Sequence, residues 1–202
     1  MRALCSWLLI SLFSLGSSVA IAESPQMEVW EGMAAPPAGK ALVVFLRPSA
    51  YGGMIKSSVY DISADQETFI GIVAYKDKVA YVADPGERLF MVLGENVDFM
   101  DARLEADKTY HVLVAPRMGA WKARFSLRPI RNDAAAEYNL KSAEFAEWQQ
   151  KTRWVRRTAV ADTWYAEHQS DIAKKKAEYM KKWNERSAGD KAGLLLHAED
   201  GV

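Results

Sequence analysis

The amino-acid sequence predicts a mainly β protein with a C-terminal helical region, an α+β fold. Residues 41–130 contain short apolar runs separated by turn residues at roughly eight to twelve positions, which is typical of sandwiches and barrels. Seven or eight antiparallel strands in this length need two packed sheets to bury their apolar faces. Residues 131–188 contain neither proline nor glycine and are rich in helix-forming residues. We therefore expect a β-sandwich followed by one long broken helix or two helices.

The first 22 residues have the three parts of an export signal. Arg2 supplies a positive charge, Ala3–Leu15 is mostly apolar, and Ala20-Ile21-Ala22 is a small-x-small cleavage site. We expect a mature chain that begins at Glu23 and is periplasmic or secreted. The alternative is an uncleaved anchor, but serine and glycine interrupt the apolar run well short of the roughly 20 residues that span a bilayer.

The single cysteine, Cys5, lies inside this signal. Its position and neighbours do not fit the lipid-modified first residue of a lipoprotein, so no lipid anchor is predicted. Once the signal is removed, disulfides, thiol nucleophiles and cysteine metal ligands are all excluded. Stability must then come from a packed core.

Residues 23–40 contain three prolines and two glycines without a regular period, and are interpreted as a linker. The continuous apolar run Ala41–Leu46 predicts a central strand, which Pro48 ends because proline cannot donate to the ladder. Lys76-Asp77-Lys78 and Asp84-Pro85-Gly86 predict turns between later strands. The predicted strands are Ala41–Leu46, Ser57–Ile62, Phe69–Ala74, Val79–Ala83, Leu89–Leu93, Val97–Leu104, Thr109–Ala115 and Ala120–Leu127.

Two apolar stripes organise residues 131–188. The first stripe consists of Phe145, Trp148, Thr152, Val155 and Ala159, and the second of Ile172, Lys176, Tyr179 and Trp183. Ser170-Asp171 between them predicts a new helix cap and therefore a break. Residues 189–202 are interpreted as a mobile tail, which Leu194-Leu195-Leu196 could anchor. The sandwich is expected to fold alone, unless the first stripe covers one of its outer faces.

The segment Lys40–Leu127 resembles an uncharacterised bacterial envelope domain, common on lipoproteins and similar to the prealbumin-like PEGA sandwiches. The resemblance is carried by Val43–Pro48, Ile70-Gly71, Asp84–Phe90 and Leu104–Val112. Asp107 and His111 stand where such domains have a glycine and a second tyrosine. The resemblance implies a prealbumin-like β-sandwich and an exported location, and it implies no activity for particular residues.

Charge and motifs restrict the function classes. Lysine plus arginine and aspartate plus glutamate each total 26, so no net field attracts nucleic acid. The common local catalytic and phosphate-binding motifs are absent from the sequence. The three histidines, His111, His168 and His197, are too dispersed for a local metal motif. We predict neither a metal nor a cofactor.

Two groups of residues are candidate sites. Lys122, Arg124 and Arg128 alternate with apolar residues on the last strand and so share its outer face. Together with Trp154, Arg156 and Arg157 they could bind an anionic polymer such as a sugar acid, or a lipid head group. The alternative is that these cations form salt bridges within the fold. His111, Asp98 and Asp101 could instead form a dispersed catalytic site.

These groups support two hypotheses. The first is an exported, non-catalytic cell-envelope protein whose sandwich binds an envelope protein or another envelope component. The second is a periplasmic hydrolase built on His111 and the two aspartates. The hydrolase requires a concave pocket in which His111 lies within hydrogen-bond reach of a carboxylate.

Overall fold

The computed structural model describes residues 26–51, 55–117 and 124–202. Residues 1–22, which the sequence predicts to be an export signal, and Lys122 lie outside the described residues. Within these described ranges ten strands form two sheets, and helices follow mainly at the C-terminal end. The strands are β1 Met27–Val29, β2 Ala41–Arg47, β3 Ser57–Asp61, β4 Thr68–Val73, β5 Asp77–Ala83, β6 Gly86–Leu93, β7 Val97–Leu104, β8 Thr109–Arg117, β9 Arg124–Ile130 and β10 Arg153–Arg157. The α-helices are α1 Ala143–Lys151, α2 Ala159–Asn184 and α3 Ala188–Ala192.

The two sheets confirm the predicted mainly β, α+β fold. The first sheet has the order β1-β10-β5-β2-β8-β9, and the second has the order β4-β3-β6-β7. A single apolar core lies between them and includes the fully buried rings of Phe45 and Phe90, whose centroids are 5.3 Å apart. All eight strands predicted between residues 41 and 130 form, with shifted ends.

The expectation of a wholly antiparallel sandwich is wrong at two pairings. β2 runs parallel to β8, with Leu42 opposite Thr109, and β5 runs parallel to β10. Only strands joined by a short hairpin must be antiparallel. The chain between β2 and β8 builds β5 and all of the second sheet before it returns, so its direction at β8 is free of that constraint.

The interpretation of residues 23–40 as a linker without folded elements is also wrong, because β1 forms there. β1 pairs with β10, another strand that the sequence did not predict. The predicted helical stripe ends at Thr152, whose hydroxyl donates to the Trp148 carbonyl at 2.7 Å. The next five residues extend as β10, because Val155 is then buried in the core between β1 and β5. Tertiary packing therefore overrides local helix preference here.

The predicted break at Ser170-Asp171 does not occur. α2 continues through these residues without interruption for 26 residues. It packs on the second sheet, where Tyr165 stacks on Phe69 at 5.0 Å and Trp183 lies 5.8 Å from Phe99. Among the described residues, no helix is both long and apolar enough to cross a bilayer.

The C-terminal segment is docked rather than mobile, which corrects another expectation. Leu194 and Leu196 are buried, as the predicted anchor requires. Leu196 exchanges backbone hydrogen bonds with β7, and Val202 does so with Thr109 at the start of β8. Asp200 accepts a charged hydrogen bond from Arg131 at 2.7 Å. The segment therefore ties the two sheets together.

Candidate functional site

The predicted cations lie near opposite edges of the first sheet. Arg124 and Arg128 are on β9, whereas Trp154, Arg156 and Arg157 are on β10. Strands β5, β2 and β8 separate β9 from β10, so the two groups are about 19 Å apart at the usual strand spacing. They do not form one binding surface.

The cations of β10 are engaged within the fold. Arg156 forms an ion pair with Glu28 of β1 at 2.7 Å. Arg157 donates to the carbonyl of Phe69, lies over its ring at 5.3 Å and approaches Asp162 of α2 at 3.4 Å. These contacts join β10 to β1, β4 and α2. They leave less of the positive charge for a ligand.

A different basic site forms where β7 and β9, edge strands of the two sheets, come together. It surrounds Asp98 of β7, which is 3% exposed. Arg186, just after α2, donates to Asp98 at 2.9 Å, and Arg117 at the end of β8 lies 3.5 Å away. Arg124 pairs with Arg117 across the β8–β9 ladder. We call Arg117, Arg124, Arg128 and Arg186 the arginine cluster.

Local contacts explain why these side chains meet. The Asn96 side chain bonds both the N–H and the carbonyl of Phe125, at 2.7 and 3.1 Å, and so joins the start of β7 to β9. The Arg186 guanidinium lies 4.9 Å from the centre of the buried Trp183 ring. α2 therefore places Arg186 beside Asp98 through the packing of Trp183.

The arginine cluster carries excess positive charge. Arg117, Arg128 and Arg186 line an open cavity of about 500 Å³ with Asp98 and Asp190. Burial lowers the pKa of Arg117; Asp98 opposes this, and the other three arginines add to the lowering. Arg124 and Arg128 make no ion pair with any residue that the structure describes. The cluster could donate forked hydrogen bonds to a carboxylate or phosphate group.

The residues of the predicted hydrolase site are not assembled. His111 is on β8 of the first sheet, whereas Asp98 and Asp101 are on β7 of the second. The His111 ring packs edge-on against Phe145 at 5.0 Å, and its Nδ1 has no hydrogen-bond partner among the described residues. Asp101 has a raised pKa because burial outweighs the nearby Lys191 charge. Within the described part of the chain, no three potential metal ligands cluster.

The position of His111 makes stability depend on pH. Burial, assisted by the positive charge of Lys78, lowers the pKa of His111 from 6.5 to about 4. The folded state thus binds this proton more weakly than the unfolded chain, and its stability decreases as pH falls from 6.5 toward 4. We expect His111 to account for a loss of about 2 to 3 kcal/mol between pH 7 and pH 4.5.

Urea unfolding of the wild type and of His111→Phe and His111→Gln at both pH values measures this loss. All other titrating groups are common to the three proteins, so the difference in pH dependence isolates His111. Equal pH dependence in all three proteins would contradict the expected linkage.

Sequence alternation located two members of the arginine cluster, Arg124 and Arg128, but missed the other two. Arg186 is 88 residues from Asp98 in the chain. Its pairing with Asp98 depends on α2 running unbroken to Asn184, which the local pattern did not predict. No protein-family model matches the chain, and a comparison with curated proteins finds no relative.

Proposed function

We propose that this protein is an exported, non-catalytic cell-envelope module that binds an anionic envelope component through the arginine cluster. The observation that carries the proposal is that Arg117 and Arg186 both pair with the buried carboxylate of Asp98 beside an open cavity. Arg128 lines the same cavity, and Arg124 adds positive charge near Arg117. Asp98 and the exposed Asp190 together leave a surplus of positive charge. An anion bridging Arg124 and Arg128 would relieve repulsion within the cluster.

Export and the prealbumin-like identity are part of this proposal. The three-part signal in residues 1–22 supports export. The eight strands from β2 to β9 divide equally between the two sheets, which supports a prealbumin-like sandwich with β1 and β10 as additions at one edge. The geometry favours a binding module over the hydrolase because His111 makes no hydrogen bond to a carboxylate among the described residues.

Two anions test the site by calorimetric titration into the mature protein, residues 23–202. Oligogalacturonate presents carboxylates and inorganic pyrophosphate presents phosphates, so the pair distinguishes the two chemistries. We expect saturable binding of one anion that weakens as salt rises from 50 to 200 mM. Arg124→Gln with Arg128→Gln should weaken it about tenfold or more, since each change removes a charge-assisted hydrogen bond.

The matched control is Arg103→Gln with Arg156→Gln. It removes the same net charge from two arginines outside the cluster, whose partners Glu87 and Glu28 are both exposed. This control should bind like the wild type. Failure of both anions to bind, or equal weakening by the two double variants, would refute the arginine cluster as the site.

A further inference from the structure

Two guanidinium groups of the arginine cluster are accessible from its cavity. The side chain of Arg117 is 43% exposed and that of Arg186 is 33% exposed, whereas Asp98, to which both donate, is only 3% exposed. Each arginine uses one terminal nitrogen for Asp98, at 3.5 Å for Arg117 and 2.9 Å for Arg186. A guanidinium has five N–H donors, so both side chains keep donors for a ligand.

The buried carboxylate fixes the directions in which these donors point. Asp98 accepts from Arg186 through Oδ1 and from Arg117 through Oδ2. The Arg186 guanidinium also lies 4.9 Å from the centre of the Trp183 ring. Arg128 of β9 lines the cavity as well. Donors that come from three separate elements suit a phosphoryl group with three acceptor oxygens better than a planar carboxylate with two.

The charge of the cluster matches a doubly charged anion. Asp98 and Asp190 are the acidic residues among the described residues that line the cavity. Four guanidinium groups against these two carboxylates leave a surplus of two positive charges. A phosphate monoester carries about −1.5 to −2 at pH 7, whereas a phosphate diester or a lone carboxylate carries a single negative charge. Only the monoester therefore comes close to neutralising the cluster.

From these observations we propose that the arginine cluster selects a phosphate monoester, as carried by a sugar phosphate or by the headgroup of phosphatidic acid. The inference rests on the proposed function and narrows it from anions in general to one class. The terminal oxygens would accept from Arg117, Arg128 and Arg186, while Arg124 adds positive charge beside Arg117. The cavity volume of about 500 Å³ also admits the carbon body attached to the phosphate.

Two small esters test the class of ligand. Methyl phosphate and dimethyl phosphate are titrated into the chain 23–202 while the arginine Nε–H signals are followed by nuclear magnetic resonance. We expect methyl phosphate to bind about tenfold more tightly at pH 7.5, because it adds one charge and one acceptor oxygen. At pH 5 most of the monoester has lost its second charge, whose pKa is about 6, and the preference should fall to about twofold or less. Titration of the protein itself affects both esters alike.

A variant links this preference to the surplus charge. Arg128→Gln lowers the surplus from two to one and should reduce the preference for methyl phosphate at pH 7.5 to about threefold or less. The matched control, Arg103→Gln, removes the same charge outside the cluster, at a side chain whose partner Glu87 is exposed, and should keep the preference. The readout is a ratio of two affinities for one protein, so a change in stability alone does not alter it.

Two further probes distinguish the sources of the monoester. N-Acetyl-D-glucosamine 1-phosphate presents it on a soluble sugar. Phosphatidylcholine vesicles that contain phosphatidic acid present it on a membrane, and vesicles of equal surface charge that contain phosphatidylglycerol present a diester instead. Binding of the sugar phosphate assigns a soluble ligand, and retention on phosphatidic acid vesicles alone assigns the lipid headgroup.

The failures of this inference and of the proposed function are distinguishable. Equal affinity for the two methyl esters at pH 7.5 would overturn the monoester but leave anion binding by the arginine cluster intact. Failure of both esters, of oligogalacturonate and of pyrophosphate would remove the proposed function as well. Binding of methyl phosphate without binding of either source would show an adventitious ion only, and would also overturn the inference.

Discussion

A chain that ends after Arg131 is expected to aggregate instead of forming an autonomous sandwich. Such a chain lacks β10, which pairs with both β1 and β5. It also lacks five large buried side chains of the common core: Val155, Ile172, Trp183, Leu194 and Leu196. At about 2 kcal/mol for each, their loss amounts to roughly 10 kcal/mol, comparable to the whole stability of an ordinary domain.

Removal of residues 132–202 also uncovers the outer face of the first sheet. Leu46, Leu113 and Ile130 form a second apolar cluster there, covered by Phe145 and Trp148 of α1. Their exposure would add a contiguous apolar patch beside the unpaired edge of β5. The sequence predicted an autonomous sandwich but left open that the Phe145 stripe covers an outer face, and the structure supports this alternative.

Size-exclusion chromatography and circular dichroism of the chain 23–131 measure the outcome, with the chain 23–202 as the control. We expect the short chain to elute as large aggregates or to lack a cooperative unfolding transition. Adding residues 132–202 as a separate polypeptide should recover part of the soluble form. A monomeric short chain with a cooperative β-type transition would show that the sandwich holds itself together.

The parts of the fold that the sequence predicted are those set by local alternation. Strand β9 follows the predicted alternation in part: Phe125 and Leu127 are buried and Arg124 is exposed, as the period of two requires, but Ser126 on the face of Arg124 is buried as well. Strand β10 shows the limit. Arg153–Arg157 lies among helix-forming residues, and its extended conformation depends on β1 and β5, which are distant in sequence.

The candidate sites, too, were predicted only where local alternation along one strand defines them. Arg124 and Arg128 could be placed on one face because both belong to the same alternation along one strand. Their neighbours Arg117 and Arg186 reach Asp98 from separate elements, so no spacing in the chain encodes the cluster. Trp154 was grouped with its neighbours Arg156 and Arg157, but the structure places it beside His111 in a different cavity.

Arg47 is a second feature on which we expect the stability of the fold to depend strongly. The local sequence pattern does not reveal its role. Arg47 directly follows the predicted strand Ala41–Leu46 and precedes Pro48, where an exposed side chain would be ordinary. Instead it is fully buried, with its guanidinium 4.5 Å from the centre of the Phe125 ring. It donates to the carbonyls of Ile55 at 2.5 Å and of Val73 at 3.4 Å. Arg47 thus joins β2 of the first sheet to β4 of the second.

Burial lowers the pKa of Arg47 to about 10, although the negative charge of Asp77 opposes the change. The side chain therefore remains charged at neutral pH and carries a desolvation cost that its hydrogen bonds and ring contact must offset. Arg47→Ala would remove those contacts, leave a void and take away the guanidinium donor of the Ile55 carbonyl, whereas the Val73 carbonyl would keep its hydrogen bond from the Ser57 hydroxyl at 3.0 Å. We expect a loss of about 3 to 5 kcal/mol in the free energy of unfolding.

Arg47→Met separates the two contributions. Methionine keeps much of the volume and the contact with Phe125, and it carries no charge to desolvate, so its cost should be at least about 1 kcal/mol smaller than that of alanine. Urea unfolding at pH 7 measures the free energy of unfolding of both variants. The control is Arg103→Ala, at an exposed position on β7, whose free energy of unfolding should stay within about 0.5 kcal/mol of the wild type. A cost of less than about 1 kcal/mol for Arg47→Ala would lie well below the usual cost of emptying a buried site. Such a result would show that the packing of the two sheets does not depend on this guanidinium. The Phe125 ring and its neighbours would then have to fill the void by repacking.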